Sequence, residues 1–171
     1  MTTQTTKTTV TPKTRKPRRK NVVKKLPSNP FMNEILELVS EQKTDAKKVA
    51  ILKEYECDIL KSLFIWNFDD SIISLLPEGK VPYKPNENPL GTDHSSLRRE
   101  QRSLYNFVKG GNDKLSTIRR ETIFIQMLEG LHPTEADIVI AVKDKDLEDM
   151  YDVSFEVVEE AYPDIEWGGR S

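Results

Sequence analysis

The chain has little of what most enzyme, metal and membrane signatures require. Its 171 residues include one cysteine, Cys57, and two histidines, His94 and His132. A lone thiol cannot form an intrachain disulfide, so a reducing compartment is expected. Without ligand-like spacing among these three residues, neither zinc nor any other cofactor is expected. The longest strongly apolar stretches, such as residues 63–66 and 138–142, fall far short of the roughly 20 residues a membrane-spanning helix needs. No apolar segment follows the positive N-terminus, position 2 is Thr, and no cysteine lies near the C-terminus. A secretory signal, N-myristoylation and prenylation are therefore not expected.

Negative charge is missing from one region only. Residues 1–30 contain no Asp or Glu but nine cations: Lys7, Lys13, Arg15, Lys16, Arg18, Arg19, Lys20, Lys24 and Lys25. The other 141 residues carry 17 basic and 28 acidic side chains, a net charge of −11. An acidic body with a separate basic arm is suited to meet a polyanion. Eight threonines in residues 1–14, with Pro12, Pro17, Pro27 and Pro30, leave the arm without apolar periodicity. Such a segment buries too little surface to offset its ordering entropy, so residues 1–28 are expected to be disordered when free.

Order is expected from Ser28, with Asn29 as N-cap and Pro30 at the first helical position, where its missing N–H costs nothing. Phe31, Ile35, Leu38 and Val39 then share one helix face. A second helix is expected over residues 44–56. A third, capped by Asp58, is apolar nearly all round through Ile59, Leu60, Leu63, Phe64 and Trp66, which places it centrally. Residues 71–76 form a short apolar segment. Residues 77–93 hold four prolines and two glycines and are expected to form an irregular loop packed over the core, anchored by Leu76, Val81, Tyr83 and Leu90. Two helices follow at residues 95–109 and 115–129, joined at Gly110 and Gly111, where glycine supplies a left-handed C-cap. Gly130 ends the second. Pro133 opens another helix to about Val142, with His132 as its cap, and Ser154 precedes a last one to Tyr162, stopped by Pro163. The tail from Trp167 is expected to be loose. The fold class is therefore all-α: one compact domain of about six to eight helices over residues 29–171, with a Pro-rich loop at 77–93.

The arm carries the clearest chemical signal. Cations interleaved with Pro and Thr can track phosphates and release counterions, which makes Lys13, Arg15, Lys16, Arg18, Arg19, Lys20, Lys24 and Lys25 the candidate nucleic-acid contacts. A solvated, solubilising tail is the alternative for the same composition. A second candidate is the stripe Arg98, Arg102, Tyr105 and Lys109, at i, i+4, i+7 and i+11, followed by Arg119 and Arg120. Residues 98–120 hold seven basic side chains and two acids, and an aromatic within such a stripe can stack on a base. Residues 121–171, however, carry fourteen acids against three basic residues, so internal pairing of the stripe is the favoured expectation.

Other constellations fail on spacing. A helix-turn-helix about Gly110 would need a small residue where Asn106 stands and an apolar one where Ser116 falls, so a helical hairpin is expected instead. Asp144, Asp146 and Glu148 alternate like the start of an EF-hand loop, but Asp149 stands where Gly is required and Phe155 where a bidentate Glu is. An acidic interhelical loop is expected there. Asp93, His94 and Ser95 are neighbours in sequence and cannot form a relay of convergent groups. Residues 110–114 lack the spacing of a phosphate-cradling loop. No catalytic residue is identified, and the protein is expected not to be an enzyme.

From Met32 onward the chain resembles a family of small proteins of unknown function encoded by T-even-like tailed phages (myoviruses) of marine bacteria. The segments that carry the resemblance are MNEILELVSEQK (32–43), WNFDDSIISLLPEGKVPY (66–83), YNFVKGGNDKLSTIRRETIFIQMLEGLHP (105–133) and EEAYPDIEWGGRS (159–171). The resemblance implies a phage protein acting in the bacterial host cytoplasm, and it supplies no catalytic residues. The basic arm falls outside it. The expected function is that of a non-enzymatic phage accessory protein. Its arm would contact DNA or RNA with weak sequence selectivity, and its acidic helical body would contact a phage or host protein. The alternative is a virion structural or assembly component whose arm contacts packaged DNA or the capsid.

Overall fold

In a computed structural model, residues 24–170 apart from position 90 are described. They form eight α-helices and one 3₁₀ helix, with no strand beyond a single isolated bridge among the described residues. The helices are α1 (Met32–Ser40), α2 (Asp45–Glu54), α3 (Asp58–Phe68), α4 (Leu97–Glu100), α5 (Thr117–Gly130), α6 (Pro133–Lys143), α7 (Leu147–Tyr151) and α8 (Phe155–Ala161). The 3₁₀ helix, Gln101–Phe107, continues directly from α4. The expected all-α domain is what the chain adopts.

α3 is the central helix, as its all-round apolarity predicts: Leu60, Leu63 and Phe64 are fully buried. It packs on α6, while α2 packs most extensively on α8 and α1 bridges α2, α6 and α7. Aromatic contacts close the far side. Phe64 meets Phe68 and Tyr162, and Phe155 meets Phe68 and, edge-on, Trp167 at 5.0 Å between ring centres. The Tyr162 hydroxyl is fully buried and donates to the Leu52 carbonyl at 2.7 Å, which fastens α8 to α2.

Helix starts show where local signals decide and where they do not. Ser154 accepts from the Val157 N–H at the start of α8, and His132 Nδ1 accepts from the Thr134 N–H before Pro133 opens α6. Both match the sequence reading. The first helix departs from it. α1 begins at Met32 with Phe31 as N-cap, not at Pro30 with Asn29. The reason is carboxylate supply: Glu34 accepts from the Phe31 N–H at 2.9 Å, and Glu135 from the Met32 N–H at 3.3 Å. Likewise Cys57, not Asp58, stands at the N-cap of α3. The acidic segment after Asp144 is not simply a loop, for Leu147–Tyr151 closes a short helix with Leu147 and Tyr151 buried.

The Pro-rich segment lies on the core through half-buried Val81 and Tyr83, as expected, while the expected anchor Leu90 lies outside the described residues. Lys143, itself 3% exposed, donates to the Pro77 and Gly79 carbonyls and pairs with Asp144, which in turn accepts from the Gly79 N–H. The tail is not loose. The Gly168 N–H and the Arg170 guanidinium both donate to the Asp69 carboxylate, at 3.0 and 2.6 Å. Order also begins earlier than Ser28: Leu26 is buried, and its N–H donates to the Tyr55 hydroxyl at 3.1 Å.

Candidate nucleic-acid interface

Of the arm cations, Lys13, Arg15, Lys16, Arg18, Arg19 and Lys20 lie outside the described residues. Lys24 and Lys25 are described and exposed. Lys24 stands over a shallow cleft with Glu34 and Glu37 of α1 and Glu41, its C-cap. The arm therefore joins the body beside an acidic helix face, and Leu26 fixes that point of entry.

The second basic segment does not form the continuous α-helical stripe that its spacing suggests. α4 lasts one turn before the chain tightens to a 3₁₀ helix. In that geometry side chains three apart eclipse one another. Leu104 and Phe107 therefore share a buried ridge, and Arg102 and Tyr105 share an exposed one. The segment then extends. Val108 forms an antiparallel bridge with Ser74, the Lys109 N–H donates to Ile73 at 2.9 Å, and the Leu75 N–H donates to Phe107 at 2.8 Å. Pairing with residues 71–76 thus ends the helix before Lys109, which stays exposed.

The turn that follows depends on two glycines for different reasons. Gly110 has φ +84°, a left-handed conformation that side chains other than glycine rarely adopt. Gly111 presses on the preceding helix, for a Cβ there would stand 1.9 Å from the Tyr105 carbonyl oxygen. Arg120 holds the whole corner. It is 5% exposed, and its guanidinium donates to the carbonyls of Asn106, Asn112 and Leu115 at 2.8, 3.2 and 3.0 Å. Arg98 does similar work at the other end, donating twice to the Pro30 carbonyl.

The expected pairing of this stripe with the acids of residues 121–171 is thus not how it is held. Arg98 and Arg120 bond backbone carbonyls instead, Arg98 that of Pro30 ahead of α1 and Arg120 those of Asn106, Asn112 and Leu115. Arg99, Arg102, Lys109 and Arg119 are exposed, and their side chains make no ion pair or hydrogen bond among the described residues. The stripe thus divides. Arg98 and Arg120 are structural, whereas Arg102, Tyr105, Lys109 and Arg119 face solvent.

Two hollows flank the segment. One, about 230 Å³, lies between residues 29–31 and α4, with Arg98 and Arg99 on its wall and Glu135 in its lining. Burial raises the Glu135 pKa above the usual carboxylate value, although the Leu97 and Met32 N–H groups it accepts oppose the shift. The other, about 260 Å³, is mostly apolar and runs beside Tyr105 over Leu104, Val108, Trp66 and Ile72. Sequence reasoning took Trp66 as core, and it is, with its indole N–H donating to Ser74 at 2.7 Å. Its edge nevertheless borders this groove, which only the bridge between residues 74 and 108 brings together. Among the described residues no three His, Cys, Asp or Glu side chains gather as metal ligands.

No curated protein and no solved structure matches the chain. Residues 35–149 match the model of a family of unknown function, DUF6433. That span covers helices α1 to α7 in whole or part, including the 3₁₀ ridge, the two-glycine turn and Arg120, and leaves the basic arm outside. The chain belongs to the DUF6433 family of unknown function.

Proposed function

We propose that this is a non-enzymatic accessory protein of a phage of marine bacteria, acting in the host cytoplasm. It contacts nucleic acid through its basic arm and a phage or host protein through its acidic helical body. One observation carries this reading: nine cations and no acid in residues 1–30, attached to a body of net charge −11. The exposed Lys24 and Lys25, at the end of the arm that the body anchors, support it. Such a charge division favours phosphate contact by the arm and repulsion of phosphate by most of the body. Binding is then weakly selective for sequence, since cations on an extended segment read the backbone rather than base edges.

Fluorescence anisotropy on unrelated duplex oligomers across a salt series tests the reading. If about half of the arm cations meet phosphates, the log–log slope is roughly −4. Removal of residues 1–23 abolishes most of it. No binding at low salt, or binding unchanged by the truncation, overturns the nucleic-acid assignment. The arm would then be a contact for an acidic protein surface. Stoichiometric recovery of the protein in purified particles would favour the virion role instead.

A further inference from the structure

We infer that the Tyr105 ridge and its adjoining groove form a base-stacking site for single-stranded nucleic acid. The inference rests on nucleic acid being the partner of the arm, and adds a preference that the arm by itself does not supply. Tyr105 is 52% exposed, and its hydroxyl makes no hydrogen bond among the described residues. Its backbone is nevertheless held on two sides: the 3₁₀ turns precede it and Gly111 lies against its carbonyl. A large aromatic ring is thus presented to solvent from a fixed base, so little order is lost when a planar ligand settles on it.

The surroundings suit a nucleotide. Arg102 eclipses Tyr105 one 3₁₀ turn earlier, and Lys109 follows the end of the same helix, both exposed and without a carboxylate partner among the described residues. Two unpaired cations about a stacking ring match the phosphates on either side of a stacked base. The apolar groove beside the ring, about 260 Å³, is smaller than most clefts for drug-sized ligands, at about 300–1,000 Å³. It suits one ring system. The nearest acids in sequence are Glu100 and Asp113. Glu100 is taken up by the Ser95 hydroxyl at 2.5 Å and Asp113 by the Gly110 N–H at 2.9 Å. A duplex keeps its base faces stacked inside, so only a single strand can offer one to Tyr105.

The test uses the full chain, with a short oligothymidylate and a duplex of matched length as probes. Tyr105→Ala weakens oligothymidylate binding by about 5- to 100-fold and leaves duplex binding within about twofold. Tyr105→Phe retains wild-type affinity for both, because stacking needs the ring and not the hydroxyl. Arg102→Gln with Lys109→Gln weakens the single strand and reduces its salt slope by about 1.4. Circular dichroism confirms that each variant is folded. Equal losses on both probes, or none on either in Tyr105→Ala, overturn the stacking site and leave the groove to a protein ligand. A separate variant with Arg15, Lys16, Arg18, Arg19 and Lys20 replaced by Gln tests the arm. If Tyr105→Ala is silent while this variant loses duplex binding, the stacking site fails and the arm's role stands. If wild type binds neither probe, both fall.

Discussion

Arg120 donates its Nε–H to the Asn106 carbonyl at 2.8 Å, across the two-glycine turn that separates them. With Asn112 and Leu115 also bonded, this buried cation is satisfied by three backbone oxygens. A planar fork can reach all three at once, whereas an ammonium on a flexible stem cannot. Arg120→Met should cost about 2–4 kcal/mol, since it removes three charge-assisted bonds to backbone carbonyls, of which that of Asn112 keeps the Leu115 N–H. Arg120→Lys should recover part of that, and Arg119→Gln on the exposed side should stay within about 0.5 kcal/mol. Urea unfolding of the three variants checks this. Similar midpoints for the changes at 119 and 120 would contradict the structural role of Arg120.

Gly111 sets the height at which Tyr105 sits. A methyl group there would collide with the Tyr105 carbonyl, and backbone cannot yield as a side-chain tip can. Gly111→Ala should destabilise the fold by about 2–4 kcal/mol. Gly79→Ala serves as the comparison: it meets the left-handed strain, φ +84°, without any atom within 4 Å, and should cost about 1–2 kcal/mol. Thermal melts showing the smaller loss at 111 would refute the close approach.

Leu26 decides where the body begins. A chain starting at Lys24 should unfold like the full protein. One starting at Met32 should lose about 2–4 kcal/mol, from the buried Leu26 side chain and the Arg98 bonds to the Pro30 carbonyl. Capping signals alone give a different reading, in which order starts at Ser28 and Leu26 has no part. Equal denaturation midpoints for the two shortened chains would restore it.

Asp69 joins the end of α3 to the tail. Burial by itself would raise its pKa. Hydrogen bonds from the Ser71 hydroxyl, the Gly168 and Ser71 N–H groups and the Arg170 guanidinium outweigh that and hold it at about 2. A depressed carboxylate stabilises the fold above its unfolded value, 3.8, and loses that contribution as the pH falls to about 2. Wild type should therefore exceed Asp69→Asn by about 1–2 kcal/mol at pH 7, and the difference should shrink below about pH 4. Glu135, raised by burial, acts in the opposite sense, so the difference between the two chains is the quantity to follow. A pH-independent difference would show that the charge on Asp69 is not what matters.

Much of the fold was legible because it is written in local chemistry. The all-round apolarity of residues 59–66 identifies a central helix wherever its partners lie, and Ser154, His132 and Pro133 mark helix starts through bonds made within three residues. The charge division between arm and body likewise needs no coordinates. What stayed hidden depends on partners far along the chain. Glu135, over a hundred residues away, moves the start of α1 to Met32, and Asp69 secures a tail that composition alone makes look loose.

The candidate stripe shows the same division within a few turns of chain. Spacing finds Arg98, Arg102, Tyr105, Lys109, Arg119 and Arg120 as a basic cluster with one aromatic. It cannot separate the members that hold the fold from those that face solvent. A 3₁₀ helix and an α-helix use nearly the same residues, and the choice falls to residues 73–75, which draw 107–109 into extended pairing. That long-range pairing ends the helix, eclipses Arg102 with Tyr105 and opens the groove beside them. The sequence by itself determined that a basic arm and an acidic helical body would coexist. Only the tertiary structure decided which cations of that body remain free, because the carbonyls that Arg98 and Arg120 bond come within their reach only once the chain has folded.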